Sequence, residues 1–283
     1  MKSEMKVLEA GFYSSIQDLG RENYRYGGVP HAGAMDQQAM RQANALLGNR
    51  EGDAVLEMTL KGGRFLFSHP TWISVVGAKT VVRLNKQVID TLQPIQISEA
   101  DLLEIDNLKN GNFIYLAIAG GFQTAEVLGS RSFYLGITDD AQLTDGQSLQ
   151  YRGNTPHEIH PTTQYREPHQ GQSLTCYAGP EFQLLDRKLQ IKLLGQGFKL
   201  GRSWNRMAFQ LQEKLHNELE AIPSGPVLPG TVQLTPDGQL IILMRDAQTT
   251  GGYPRVLQLT DKAIDQLSQT TQGQTIQFVI QSI

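Results

Sequence analysis

A single cysteine, Cys176, denies this 283-residue chain an internal disulfide, and such sparing use fits a reducing cytoplasm. Long apolar runs are missing too. The unbroken stretches fall well short of the ~20 residues that a membrane helix needs, so no span is expected. The amino-terminal MKSEMKVLEAG has no apolar core, so no secretory signal is expected either. Charge of one sign is scarce: 25 Lys and Arg against 28 Asp and Glu leave a net charge of -3. Neither nucleic acid nor an anionic membrane is favoured as a partner. There is no GxxxxGK[ST] phosphate loop and no GxSxG elbow, so two common routes to nucleotide binding and serine hydrolysis lack sequence support.

What is present is an ordinary globular balance, 40% hydrophobic and 19% charged, over a length comfortable for two domains. Glycine is abundant, with 28 residues, several in pairs: Gly27-Gly28, Gly62-Gly63, Gly120-Gly121 and Gly251-Gly252. Paired glycines mark sharp turns or close backbone approach. Strand signals dominate. TWISVVGAKTVVRL is β-branched and runs to a polar turn at Asn85–Gln87; NFIYLAIAGG reads as a strand buried on both faces. GTVQLTPDGQLIILM reads as a hairpin turning at Pro236-Asp237-Gly238, and the alternating GQTIQFVIQSI as the last strand.

Two helices are predicted. DQQAMRQANALLGN has Asp36 as N-cap, an apolar face of Ala39, Met40, Ala43, Leu46 and Leu47, and Gly48 to end it. TDKAIDQLSQ has Thr260 as cap, with Ala263, Ile264 and Leu267 inward. A shorter helix is expected at Thr124–Leu128, and SWNRMAFQLQEKL is ambiguous between helix and strand. The expected fold is mainly β, barrels or sandwiches with a few short helices. Its amino-terminal domain spans 1–155, a Pro- and His-rich linker 156–172, and a carboxy-terminal domain 173–283.

Chemistry-bearing residues come in a few groups. LLGQGFKLG is one residue too long for a dinucleotide fingerprint and has no βαβ unit around it. His157, His160 and His169 lack a carboxylate cluster, and a solvated linker suits them better than a metal; no metal is expected. Ser15–Asp36 is a polar, glycine-dense connection long enough to suggest function or disorder. Within it Asp18 and Arg21 are candidates to pair with each other, and Asp36 is a cap before it is an acid. Glu57, in AVLEMTL, is a carboxylate in apolar company that needs a cation or hydrogen-bond donors. RDAQTTGGYPR, Arg245 to Arg255, leaves the apolar LIILM as a corner. Its arginines suit a carboxylate, phosphate or carbamoyl oxygen, and its hydroxyls and glycine amides make an anion nest. The structural alternative ties Arg245 to Asp246 or Asp261.

QDLGR, GVPHAGAMD, AN-LLGN, LEMTLKGG, YLAIAGGF, LGSRS, NRM, SGPVLPGTVQLTPDGQLIILMRDAQTTGGYPR and QGQTIQF occur in this order. Together they resemble the biotin-dependent carboxyltransferase family, also called allophanate hydrolase subunit 2 or KipA-like, over nearly the whole chain. The resemblance implies two cyclophilin-like β-barrel domains. It implies one component of a cytoplasmic enzyme, inactive alone, that opens the lactam of 5-oxoproline with ATP. Its partners would be the A subunit of 5-oxoprolinase together with a KipI-like B subunit. Alternatives are a regulatory binding protein for a KipI-type kinase inhibitor, or a carboxyltransferase component acting on urea or a similar amide. The chain shows no biotinyl-lysine motif, so no covalent biotin is expected on it. Carried onto this sequence, the motifs make Arg21, Arg245 and Arg255 the catalytic candidates. Gln17, Asp36, Glu57, Arg131, Arg206, Gln248, Thr249, Thr250, Gly251, Gly252 and Tyr253 are the substrate-binding candidates. Ala208 and Gln210 stand where relatives often carry glycine and arginine, which changes any contact made by that segment.

Overall fold

The computed structural model describes residues 3–153, 159, 163 and 172–281. Two compact units separate. One takes the described residues of Met1–Arg21 and Ala32–Pro168, the other those of Glu22–His31 and His169–Ile283. The chain therefore leaves the first unit at Arg21, contributes ten residues to the second and returns at Ala32, where the sequence suggests one contiguous domain. The expected linker lies, apart from Ile159, Thr163 and Gln172, outside the described residues, as do His157, His160 and His169.

The first unit is two antiparallel sheets around one core. One sheet runs, edge to edge, Ser148–Tyr151, Ser3–Glu9, Arg64–Phe67, Leu102–Ile105, Val82–Leu84 and Gln87–Val88. The other runs Tyr13–Gln17, Val55–Thr59, Lys109–Ile118, Thr71–Lys79 and Ile95–Ile97. Met5, Val7, Phe65 and Phe67 from the first sheet meet Ile16, Leu56, Ile73, Ile114 and Leu116 from the second. Alternate side chains supply that face, as a period of two requires. Lys109–Ile118 is buried along almost its whole length because helix α1 (Gln37–Leu46) covers the other side of its sheet.

Helix α1 starts where Asp36 Oδ1 accepts the Ala39 amide at 2.9 Å and buries Ala39, Met40, Ala43 and Leu46. Gly48, at φ 66°, takes the left-handed turn beyond its end. The short helix expected at Thr124–Leu128 is absent. Val127 and Ser130 exchange both backbone hydrogen bonds, closing a turn with Leu128 and Gly129 at positive φ. Five residues do not nucleate a helix against a two-bond turn.

The second unit is a seven-stranded closed barrel. Its order is Ser173–Ala178, Arg255–Leu259, Thr231–Leu234, Leu240–Leu243, Ala208–Leu211, Phe198–Trp204 and Thr275–Ile280, which pairs in parallel with the first. The hairpin register Val232↔Ile242 and Leu234↔Leu240 frames the expected turn at Pro236–Gly238. SWNRMAFQLQEKL resolves into strands, because Asn205 Oδ1 accepts the Met207 and Ala208 amides and turns the chain. Helix α2 (Arg187–Gly195), capped by Asp186, is an element the sequence pattern does not announce. It ends at Gly195, and a strand follows from Phe198, so LLGQGFKLG is helix then strand, the reverse of a dinucleotide-binding turn. Helix α3 (Asp261–Ser268), capped by Thr260, buries Ala263, Ile264 and Leu267 as expected.

Cys176 sits in the barrel core, fully buried, and burial pushes its thiol up from 9.0 to about 11. The native state holds the proton that the unfolded chain releases. The thiol therefore leaves stability unchanged below pH 9 and lowers it by up to about 1.4 kcal/mol per pH unit between about pH 9 and 11. Urea midpoints followed across that window should show this decline, and Cys176→Ala should remove the thiol's share of it. An unchanged profile in the alanine variant would contradict the assignment.

Candidate functional site

RDAQTTGGYPR lies in the second unit, and its arginines are held by carboxylates. Arg245 is nearly buried and donates from Nη1 to Asp261 Oδ1 at 3.1 Å and from Nη2 to Asp265 Oδ1 at 2.9 Å. Both acids belong to α3, so the ion pairs fasten the helix to the corner leaving Leu240–Leu243. Arg206 makes a fork with Asp246, both bonds 2.8 Å. Arg255 forks onto Glu181 at 2.9 and 2.7 Å and donates to the Pro226 carbonyl at 2.9 Å. The guanidinium holds the Glu181 carboxyl below its usual range, and the carboxylate raises Arg255 in turn.

The middle of the stretch is a ribbon. Thr250–Gly251 pairs with Gly225–Pro226, and the Thr249 carbonyl accepts the Val227 amide at 3.1 Å. A Cβ on Gly251 would lie 2.5 Å from Gln233 Nε2, so a larger residue here would have to displace the Gln233 side chain from the ribbon. The Gly252 carbonyl accepts the Ile222 amide, and Tyr253 is partly exposed. Arg25, from the Glu22–His31 segment, donates to the Val227 and Gln248 carbonyls. Burial lowers its pKa. Next to this region an open cleft of about 440 Å³ is lined by Arg245, Asp261, Gln258, Tyr177, His31 and Leu228 among others. Arg245 and Arg255 thus belong to separate ion-paired groups.

The first unit gathers the remaining candidates in two places. Glu57 Oε2 accepts the Met35 amide at 2.7 Å and the Tyr115 hydroxyl at 2.9 Å; Tyr115 in turn accepts the Asp36 amide at 2.7 Å. Glu57, Tyr115 and Asp36 are buried, and burial with the two nearby carboxylates drives the tyrosine hydroxyl well above its ordinary pKa. The carboxylate that needed donors has them: this network anchors Met35 and Asp36, the end of GVPHAGAMD, to the sheet. Gln17 is buried beside it and donates to Ser15 Oγ at 2.9 Å.

The second place is a polar cleft of about 300 Å³ holding Asp18, Arg50, Asp53, Glu126, Arg131 and Arg152. Asp18 does not pair with Arg21. Its Oδ1 accepts Ser130 Oγ and Ser132 Oγ at 2.6 Å and the Gly20 amide at 2.8 Å; its Oδ2 accepts the Arg131 amide at 2.6 Å. Arg21, 1% exposed, donates to the Ser132 carbonyl at 2.5 Å instead. QDLGR and LGSRS are therefore two sides of one braced loop. Arg131 donates to the Thr124 carbonyl and lies 3.6 Å from Glu126. Sequence reasoning misses Arg50 and Arg152, which stand outside the strongest motif blocks. The signal available is their position, directly after LLGN and at the end of the strand Ser148–Tyr151. Among the described residues no group of three or more His, Cys, Asp or Glu is placed to hold a metal, and no helix is long and apolar enough to cross a membrane.

A family model described as carboxyltransferase domain, subdomain A and B, matches residues 27–280. The C subunit of 5-oxoprolinase from Escherichia coli (strain K12) is 33% identical over 97% of this chain and 90% of that protein. The Haemophilus influenzae protein of the same name is 32% identical over 96% of this chain and 89% of its own length. The crystal structure of Kluyveromyces lactis urea carboxylase matches with a TM-score of 0.89 and 26% identity over 100% of this chain. This chain spans only 28% of that one.

Proposed function

Because the chain belongs to the carboxyltransferase-domain family, subdomains A and B, we propose that it acts as the C subunit of an ATP-dependent 5-oxoprolinase in the cytoplasm. The observation that supports this is identity of 33% to a protein of that name along nearly the full length of both chains. The reaction it would share in opens a five-membered lactam to glutamate. An amide carbonyl resists water, so phosphorylation of its oxygen supplies a leaving group before water attacks. Such chemistry needs cations near developing negative charge and donors that fix the substrate carboxylate.

Arginine is the residue this chain offers for both tasks, and only one of its two groups is placed to meet a ligand. Arg245, Arg206 and Arg255, bonded to carboxylates, keep RDAQTTGGYPR in one shape, as Glu57 and Tyr115 do for Met35-Asp36 at the end of GVPHAGAMD. The guanidiniums of the first unit's cleft are those left to meet an anion. No step through ATP is assigned to this chain, which has no standard phosphate loop in its sequence. The A subunit, with a KipI-like B subunit, completes the proposed assembly.

The experiment is glutamate release from 5-oxoproline and ATP by this chain mixed with its A and B counterparts, each omitted in turn. Activity confined to the full mixture upholds the reading. Tight binding to the KipI-like protein with no turnover replaces it with regulation. The likeness to urea carboxylase favours carboxyl transfer as the second reading, which predicts dependence on a biotinylated carrier and bicarbonate instead.

A further inference from the structure

We propose that the first unit's cleft beside Arg50, Arg131 and Arg152 is a binding site for a small oxyanion, a carboxylate or a phosphoryl group. Five separate stretches of sequence build it: the turn after α1, the Gly120-Gly121 corner, the Gly129–Arg131 loop, Arg152 and Asp18. Four of them carry or directly follow motifs that composition alone gives no reason to cluster, QDLGR, AN-LLGN, YLAIAGGF and LGSRS.

Each wall is braced from behind. Asn49 holds the first two together, donating to the Ile118 carbonyl at 2.8 Å and accepting the Gly120 amide at 2.9 Å. Gln123 donates to the Gly120 and Gly121 carbonyls, both at 2.9 Å. The buried Asp18 carboxylate fixes the loop that carries Arg131 through the four bonds described above. Gly120 and Gly121 have φ of 74° and 71°, and a Cβ on Gly121 would lie 3.0 Å from the Asp53 Cβ. The stem of Arg152 lies over Gly120, where a Cβ would meet its Cδ at 3.2 Å. Surface arginines that merely solvate a loop need no such frame; a preorganised site does.

The charges inside the cleft are unequal in their freedom. Asp18 is saturated with donors. Asp53 accepts the Arg50 amide at 3.1 Å, and Glu126 leans toward Arg131. No hydrogen bond or ion pair joins the guanidinium of Arg50 or Arg152 to a described residue; Arg50 bonds through its backbone. A cleft of about 300 Å³ holds a phosphate or a small carboxylic acid, and planar guanidinium forks suit either.

The site stands whether or not the oxoprolinase reading holds, because inorganic phosphate tests the chain alone. The experiment is calorimetric titration of the full chain at low ionic strength with inorganic phosphate and, separately, with 5-oxoproline. Saturable binding of at least one, one per chain, is expected. Arg50→Ala and Arg152→Ala should each weaken it about tenfold, and Arg50→Lys less. Both residues are exposed, so circular dichroism should show the variants folded. Binding of phosphate alone marks a phosphoryl site; binding of 5-oxoproline identifies the carboxylate as the guest. No saturable binding of either, or binding that survives both alanine substitutions unchanged, overturns the proposal.

Discussion

Replacing Arg245 with alanine is expected to cost the second unit about 3–5 kcal/mol, chiefly because it breaks a buried ion pair. The guanidinium is 4% exposed and bonded to two carboxylates of very different standing. Asp261 is 85% exposed, and water replaces its cation at little cost. Asp265 is 10% exposed, on the buried face of α3, and loses the cation that made its charge tolerable. Asp261→Asn should therefore cost no more than about 0.5 kcal/mol. Arg245→Ala combined with Asp265→Ala should recover much of the single loss, giving a coupling of about 2–3 kcal/mol between the two sites. The chain holds two tryptophans, Trp72 in the first unit and Trp204 in the second. Urea unfolding followed by fluorescence in a Trp72→Phe background reads the second unit alone. A loss below about 1 kcal/mol for Arg245→Ala would mean that α3 is held by its apolar face and that the arginine is free for other work.

How far the sequence foretells this arrangement depends on how local each interaction is. Helices α1 and α3 are legible to the residue, because an Asp or Thr cap and an apolar spacing of three and four lie within a single stretch of chain. Strands are legible by alternation and by turns such as Pro236–Gly238. Helix α2 escapes because Arg187, Lys188, Gln190 and Lys192 dilute its apolar face, which buries only Leu193 fully. Its Asp186 cap is the one signal, and the nearby glycines imitate a nucleotide motif instead. The departure of Glu22–His31 to the second unit is not legible at all. It is fixed by Arg25 donating to carbonyls of Val227 and Gln248, some two hundred residues away and carrying no side-chain identity. The arginines of RDAQTTGGYPR are recognisable by type, but type does not reveal partners. Asp261 is near enough in sequence to suggest itself for Arg245, whereas Asp265 and the distant Glu181 emerge only when the barrel closes.

Asp18→Asn should be nearly as damaging as Asp18→Ala, about 2–3 against 3–5 kcal/mol, although asparagine is the closest neutral match in shape. The carboxylate is an acceptor on both oxygens: three donors reach Oδ1 and the Arg131 amide reaches Oδ2 at 2.6 Å. An asparagine amide can keep its oxygen on one side only. Its NH₂ then faces the Arg131 N–H or, flipped, the Gly20 N–H and two serine hydroxyls that must turn from donating to accepting. Unfolding followed by Trp72 in a Trp204→Phe background should show the two losses. The same substitution separates geometry from charge in the cleft. Removing a negative group from beside three arginines should, by Coulomb's law alone, tighten an oxyanion. If Asp18 instead serves by fixing the loop of Arg131, Asp18→Asn should weaken phosphate binding despite the more positive cleft. Tighter binding would show that the loop keeps its shape without the carboxylate, and that the brace is redundant with the Arg21 bond to the Ser132 carbonyl.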